Sequence, residues 1–178
     1  MTGGRSAGSD DVVVIGLGNV LRTDDGVGVH LVRALAEQTW PPSVRIIDAG
    51  TPGLALLDLM EEAGRVVIVD ACQLDSVPGT IRIFTPEEVR SRSDNAPLSI
   101  HQPDVLGALR LGEAVGMSVS VTLVGIQPAS LQPGTELSPA LTKAFPELLA
   151  RVSDLVAEMC RGSGLATDGD ESVDHAGG

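Results

Sequence analysis

Three side chains could together do metal or hydrolytic chemistry. Asp25 lies just after a glycine turn, Asp70 closes an apolar run, and His101 stands before an amphipathic stretch. Two carboxylates and one imidazole form an oxygen and nitrogen ligand set suited to nickel, zinc or manganese. Three protein ligands leave coordination positions open. An open metal site can polarise a carbonyl or activate water. Each residue also has an ordinary structural role. Asp24 and Asp25 are well placed to cap a helix and complement its dipole, which explains one acid better than two. Asp70 could accept backbone N–H bonds in the turn to Ala71 and Cys72, and His101 could simply start a helix. Of the three histidines, His30 shares a polar helical face with Arg33 and Glu37, where solvation suffices. His175 lies in an acidic tail.

Other chemistries compete for the same residues. Gly16-Leu17-Gly18-Asn19 follows the first β-branched run, and Asp48 ends the second strand, as in a dinucleotide-binding turn. The third glycine position holds Leu21, however, and two acids follow where a pyrophosphate would approach. Cys72 and His101 could form a thiol dyad, although a small cysteine after a strand more often packs in a core. The chain contains neither HExxH nor GxSxG.

The elements that must hold these residues alternate. Val12–Ile15 and Val66–Val69 are continuous β-branched runs, as expected of strands buried on both faces of a parallel sheet. Val44–Asp48 and Val119–Ile126 read as further strands. Thr80–Phe84 is short and half polar, and so reads as an edge strand. Helices are expected over Gly26–Gln38, Leu54–Ala63 and Gln102–Val115. A long final helix has Ser138 as N-cap and Pro139 as first residue, with Pro146 expected to kink or restart it. Right-handed crossovers between such elements give a doubly wound sheet, whose ligands bind at the carboxyl ends of the strands where strand order reverses.

The length of 178 residues suits one domain, expected over 11–161 between a loose tail at 1–10 and a disordered acidic tail at 162–178. Hydrophobic residues make up 43% but aromatics only 2%, so aliphatic side chains must fill the core. A net charge of −12 argues against nucleic acid as a partner. No apolar run is long enough for a membrane span, and no apolar segment follows Arg5 as in a signal peptide. Two cysteines, Cys72 and Cys160, lack metal-ligand spacing. A reduced cytoplasm is the expected setting.

From Val12 to about Arg161 the chain resembles the nickel–iron hydrogenase maturation endopeptidases. The resemblance is carried by Ile15-Gly16-Leu17-Gly18-Asn19-Val20-Leu21, Asp24-Asp25-Gly26-Val27-Gly28, Asp48-Ala49-Gly50-Thr51, Val69-Asp70-Ala71, Pro78-Gly79-Thr80 and Ser99-Ile100-His101-Gln102. Val124-Gly125-Ile126-Gln127-Pro128 and Leu137-Ser138-Pro139 complete it. It implies a three-layer α/β/α fold with a five-stranded, mostly parallel twisted sheet, Thr80–Phe84 being the one antiparallel strand. It implies metal contacts from Asp25, Asp70 and His101, a supporting part for Asp24, and a rim motif at Asp48 and Gly50. The implied substrate is the hydrogenase large-subunit precursor, whose C-terminal extension is removed after nickel insertion. Nickel would arrive with the substrate, with no permanently bound metal. It would act either as Lewis acid on the scissile carbonyl or as a recognition anchor while a carboxylate activates water. Two other readings are a nucleotide-binding oxidoreductase using Gly16–Asn19 and Asp48, and a non-catalytic hydrogenase assembly factor.

Overall fold

The computed structural model describes residues 11–61, 63–88, 103–117 and 119–161. His101, His175 and both expected tails lie outside the described residues. Five strands form one sheet: β1 (Val12–Leu17), β2 (Val44–Gly50), β3 (Arg65–Ala71), β4 (Ile81–Phe84) and β5 (Ser120–Ile126). Their order is β2-β1-β3-β5-β4. All neighbours are parallel except β4, which runs antiparallel to β5 at the edge. The chain steps from β1 outward to β2, then returns across β1 to β3. Strand order therefore reverses between β1 and β3, and their carboxyl ends flank the crevice where such folds place chemistry.

The layers follow from the pleat. Val12 and Val14 point to one face and pack with α1 (Val27–Ala36) and the last helix (Pro139–Arg161). Val13, Ile15 and Leu17 point to the other and pack with α2 (Leu56–Glu61) and α3 (Pro103–Ala114). Every residue of β1 is buried, which explains why its sequence shows no polar alternation. Burial of each such aliphatic side chain contributes roughly 1.5–3 kcal/mol. The last helix, here α4, places Leu141, Leu148, Val152 and Val156 against the sheet. It continues as one helix through Pro146, so of the two expected outcomes, a kink or a restart, the restart does not occur. Proline removes a single N–H, and buried side chains on both sides of it hold the two halves to the same face. Ser138 caps it as expected, its Oγ accepting the Leu141 N–H at 3.3 Å.

Other boundaries moved for local reasons. Gly26, the expected start of α1, instead closes a separate 3-10 turn, Thr23–Gly26, and the helix begins one residue later at Val27. Gly53–Ala55 is likewise a 3-10 turn ahead of α2. Strand β3 continues through Asp70 to Ala71, so Asp70 is a strand residue and not a turn residue.

Three glycines let the start of α1 lie on the strand ends. A Cβ at Gly28 would fall 2.2 Å from the Val69 carbonyl oxygen and 2.4 Å from that of Leu17. At Gly16 it would fall 2.3 Å from the Val32 side chain and 2.5 Å from the Gly28 carbonyl oxygen. At Gly18, where φ is +125°, it would fall 1.8 Å from the carbonyl oxygen of Asp25. These neighbours are mostly backbone and cannot rotate away. Gly28→Ala should therefore cost about 1–3 kcal/mol or more by overpacking. Gly107→Ala on α3, where a Cβ meets nothing within 4 Å, should be neutral or gain up to about 1 kcal/mol. Urea denaturation of the two variants checks this; equal stabilities would contradict the close-approach account.

Candidate active site

Asp70 is the last residue but one of β3, opposite Gly125 of β5. It continues the face of Val66 and Ile68 and is only 4% exposed. Its Oδ1 accepts the Ala71 N–H at 2.8 Å. Its Oδ2 is buried with no hydrogen-bond partner among the described residues. Burial pushes its pKa up from 3.8 to about 8; the Ala71 N–H opposes this and the negative charge of Asp25 adds to it. A buried carboxylate with an unsatisfied oxygen costs free energy, and a cation bound at that oxygen would offset the cost.

Asp25 comes from the 3-10 turn after β1 and is 5% exposed. The Asn19 N–H donates to its Oδ2 at 3.2 Å, and its own N–H donates to the Arg22 carbonyl at 2.9 Å. The turn carrying Asp25 packs against β3, which carries Asp70, so the two acids share the strand-end crevice, and the Asp25 charge helps to raise the Asp70 pKa. His101, the third expected member, lies outside the described residues. Among the described residues no three potential ligands gather into a metal-binding group.

Asp24 has different surroundings. It is fully buried, and both its oxygens accept backbone N–H bonds from the segment after β5. It does not cap α1: neither the 3-10 turn nor α1 has a side-chain cap. Asp48 forms a two-point ion pair with Arg33, Nε and Nη2 lying 2.8 and 2.7 Å from its Oδ2. The pair lines an open cavity of about 270 Å³ with Gly18, Asn19, Leu21, Gly50 and Thr51. His30 is not simply solvated as expected. Its Nε2 is buried without a hydrogen-bond partner among the described residues, and burial followed by the Arg33 charge lowers its pKa, against a raising effect of Asp48.

The dinucleotide reading fails on this geometry. The space above Gly18, where a pyrophosphate would need to approach, holds the protein's own Asp25 carbonyl. Asp48, the candidate ribose ligand, is engaged by Arg33. The thiol dyad is no better supported. Cys72 is 2% exposed and packs in the core beside β5. Burial, together with the nearby Asp70 charge and against that of Arg82, pushes its thiol up to about 12. Such a thiol is protonated at neutral pH and a poor nucleophile.

Gln127 carried no expected role beyond its place in the Val124–Pro128 stretch. It is buried, and its Oε1 accepts the Leu74 N–H at 2.7 Å and the Ser76 N–H at 3.4 Å. Its Nε2 donates to the Gln73 Oε1 at 2.7 Å and the Pro128 carbonyl at 3.0 Å. It thereby fixes the loop that leaves β3 beyond Asp70. The available signal was a glutamine directly after an apolar central strand.

A doubly wound sheet with paired buried carboxylates at its reversal point is the framework of an α/β enzyme, not of a dinucleotide carrier. The chain belongs to the hydrogenase maturation protease family, whose model matches residues 29–155, and it is accordingly a peptidase. It is 37% identical to the hydrogenase 2 maturation protease of Escherichia coli K12, over 79% of this chain and 87% of that one. It is 34% identical to the hydrogenase expression/formation protein HupD of Rhodobacter capsulatus, over 88% and 78%. The solved hydrogenase maturating endopeptidase HybD from E. coli superposes with a TM-score of 0.74 at 33% identity, covering 83% of this chain and 93% of that one. The five-stranded, mostly parallel sheet of this chain, with its one antiparallel strand, is the fold expected from the sequence and matches that of the solved endopeptidase. No helix among the described residues is long and apolar enough to cross a membrane.

Two outcomes follow from the site. A carboxyl whose folded pKa is raised binds its proton more tightly when folded, so stability falls as pH rises through the window from 3.8 to about 8. Asp70→Asn removes that dependence. The stability of wild type relative to the variant should drop by up to about 1.4 kcal/mol per pH unit across the window. Thermal melts from pH 4 to 8 measure this, and parallel curves would refute it. Cys72→Ala should keep full peptidase activity, with a stability loss of about 1 kcal/mol; a folded but inactive variant would restore the thiol reading.

Proposed function

We propose that this protease removes the C-terminal extension of a nickel–iron hydrogenase large-subunit precursor after nickel insertion, in the cytoplasm. Asp25, Asp70 and His101 would read the nickel that the precursor carries. The observation that carries this reading is the buried Asp70 carboxylate, with one oxygen unsatisfied and Asp25 beside it. Burial and the neighbouring Asp25 charge disfavour the ionised form of Asp70, and a divalent ion at this point would favour it.

The donor set also bears on where the ion comes from. Resident catalytic metals usually sit on several histidine or cysteine ligands supported by a second shell. Here two carboxylates end separate elements, Cys72 is buried with a high pKa, and the only further imidazole assigned is His101. Such a set binds a divalent ion weakly unless a partner supplies the remaining ligands. A nickel centre already held by the precursor would supply them. Nickel then acts as the anchor that sets the extension against the crevice. An ionised carboxylate accepts a proton from water as the water oxygen bonds to the scissile carbonyl carbon. The C–N bond then breaks, with the proton passing to the departing amine.

A precursor without nickel offers no anchor and should remain uncut. The purified protease should therefore carry no stoichiometric metal and should process only nickel-loaded precursor. Asp25→Asn, Asp70→Asn and His101→Ala should abolish processing while remaining folded. Elemental analysis, with mass spectrometry of the precursor C-terminus, checks all of this. Tightly held zinc in active enzyme, together with cleavage of nickel-free precursor, would make it an ordinary metalloprotease.

A further inference from the structure

We infer that Asp24 is a positioning residue: its buried carboxylate ties the turn carrying Asp25 to the segment between β5 and α4, and so fixes where Asp25 meets the substrate. The inference rests on the role given to Asp25 above. Asp24 Oδ2 accepts the Ala129 N–H at 2.8 Å and the Ser130 N–H at 2.9 Å, while Oδ1 accepts the Ser138 N–H at 2.7 Å. All three are charge-assisted bonds in a fully buried setting. Ser138 caps α4, so the carboxylate also sits at the positive end of that helix's dipole.

The rest of the turn is laced to the same segment. The Asp24 N–H donates to the Ser130 carbonyl at 3.1 Å, and the Thr23 N–H to that of Gly134 at 2.9 Å. The Gly134 N–H returns to the Leu21 carbonyl at 3.0 Å. Thr23 Oγ1 donates to the Gln132 carbonyl, and Arg22 Nε and Nη2 donate to that of Leu131 at 3.3 and 3.2 Å. This lacing holds an unfavourable backbone. Thr23 has φ of +45°, a left-handed conformation that a β-branched residue rarely adopts. Without the ties the turn would relax, and Asp25, two residues on, would move with it. The two adjacent acids thus divide the work: Asp24 spends its oxygens on backbone, and Asp25 faces the crevice.

Only a carboxylate suits the tether, because two oxygens receive three N–H groups; an amide would turn its own N–H toward at least one of them. The test is steady-state processing of nickel-loaded precursor by Asp24→Asn, with Asp25→Asn and a core truncation on the opposite layer, Met60→Ala, run alongside. All are assayed at a temperature where circular dichroism shows them folded. A variant that merely loses stability has fewer active molecules and an unchanged KM. A displaced Asp25 instead weakens contact with the precursor's nickel, so Asp24→Asn should raise KM by about 10-fold or more, with Met60→Ala at the wild-type KM. Should Asp24→Asn not fold, Ala129→Pro deletes one of the three donors and should raise KM in the same direction. Wild-type KM in the folded tether variant, or an equal rise in Met60→Ala, would overturn the positioning role. Wild-type processing by Asp25→Asn would overturn the reading of Asp25 itself.

Discussion

The start of α1 and the 3-10 turn before it lie in close backbone contact with the ends of β1 and β3, and the site depends on that contact. Gly16, Gly18 and Gly28 remove the three side chains that would otherwise separate these elements. Close packing is what lets a residue after β1 reach one at the end of β3. Without it, Asp25 and Asp70 would sit on separate rims of a wider groove, and the charge of one would not raise the pKa of the other. The same glycine turn that could cradle a pyrophosphate in another protein is here closed over by the chain's own Asp25 carbonyl.

The site is therefore costly by construction. Two carboxylates are buried at one edge, one with an oxygen unsatisfied among the described residues, and the turn before them holds a left-handed threonine. The stabilising features lie just outside: β-branched strands buried on both faces, Gln127 bridging two loops, and the backbone donors gathered on Asp24. Functional sites concentrate strain and unsatisfied polarity in this way, with rigid surroundings offsetting it.

Much of this was legible in the sequence, for identifiable reasons. The strands announced themselves because parallel strands covered on both faces need uninterrupted Val and Ile, as in Val12–Ile15 and Val66–Val69. The edge position of Ile81–Phe84 followed from a short, half-polar run, and its antiparallel direction was implied by the family resemblance. Asp25 and Asp70 were legible as acids at strand ends. The way in which Asp24 supports Asp25 was not, because the donors that occupy Asp24 lie 105, 106 and 114 residues away. The pairing of Asp48 with Arg33 was hidden too, since it joins the end of a strand to a helix face. The restart offered as one outcome at Pro146 does not occur, because buried side chains on both sides of it hold the helix to the same face of the sheet.

The central claim is that the crevice completes a nickel shell that the precursor brings half-built. The most direct measurement is nickel K-edge X-ray absorption on nickel-loaded precursor, alone and rapidly frozen with the protease before cleavage. The account predicts that the protease adds oxygen or nitrogen scatterers at about 2.0–2.2 Å, and that Asp70→Asn fails to add its share. A nickel shell unchanged by binding, with cleavage proceeding normally, would contradict it.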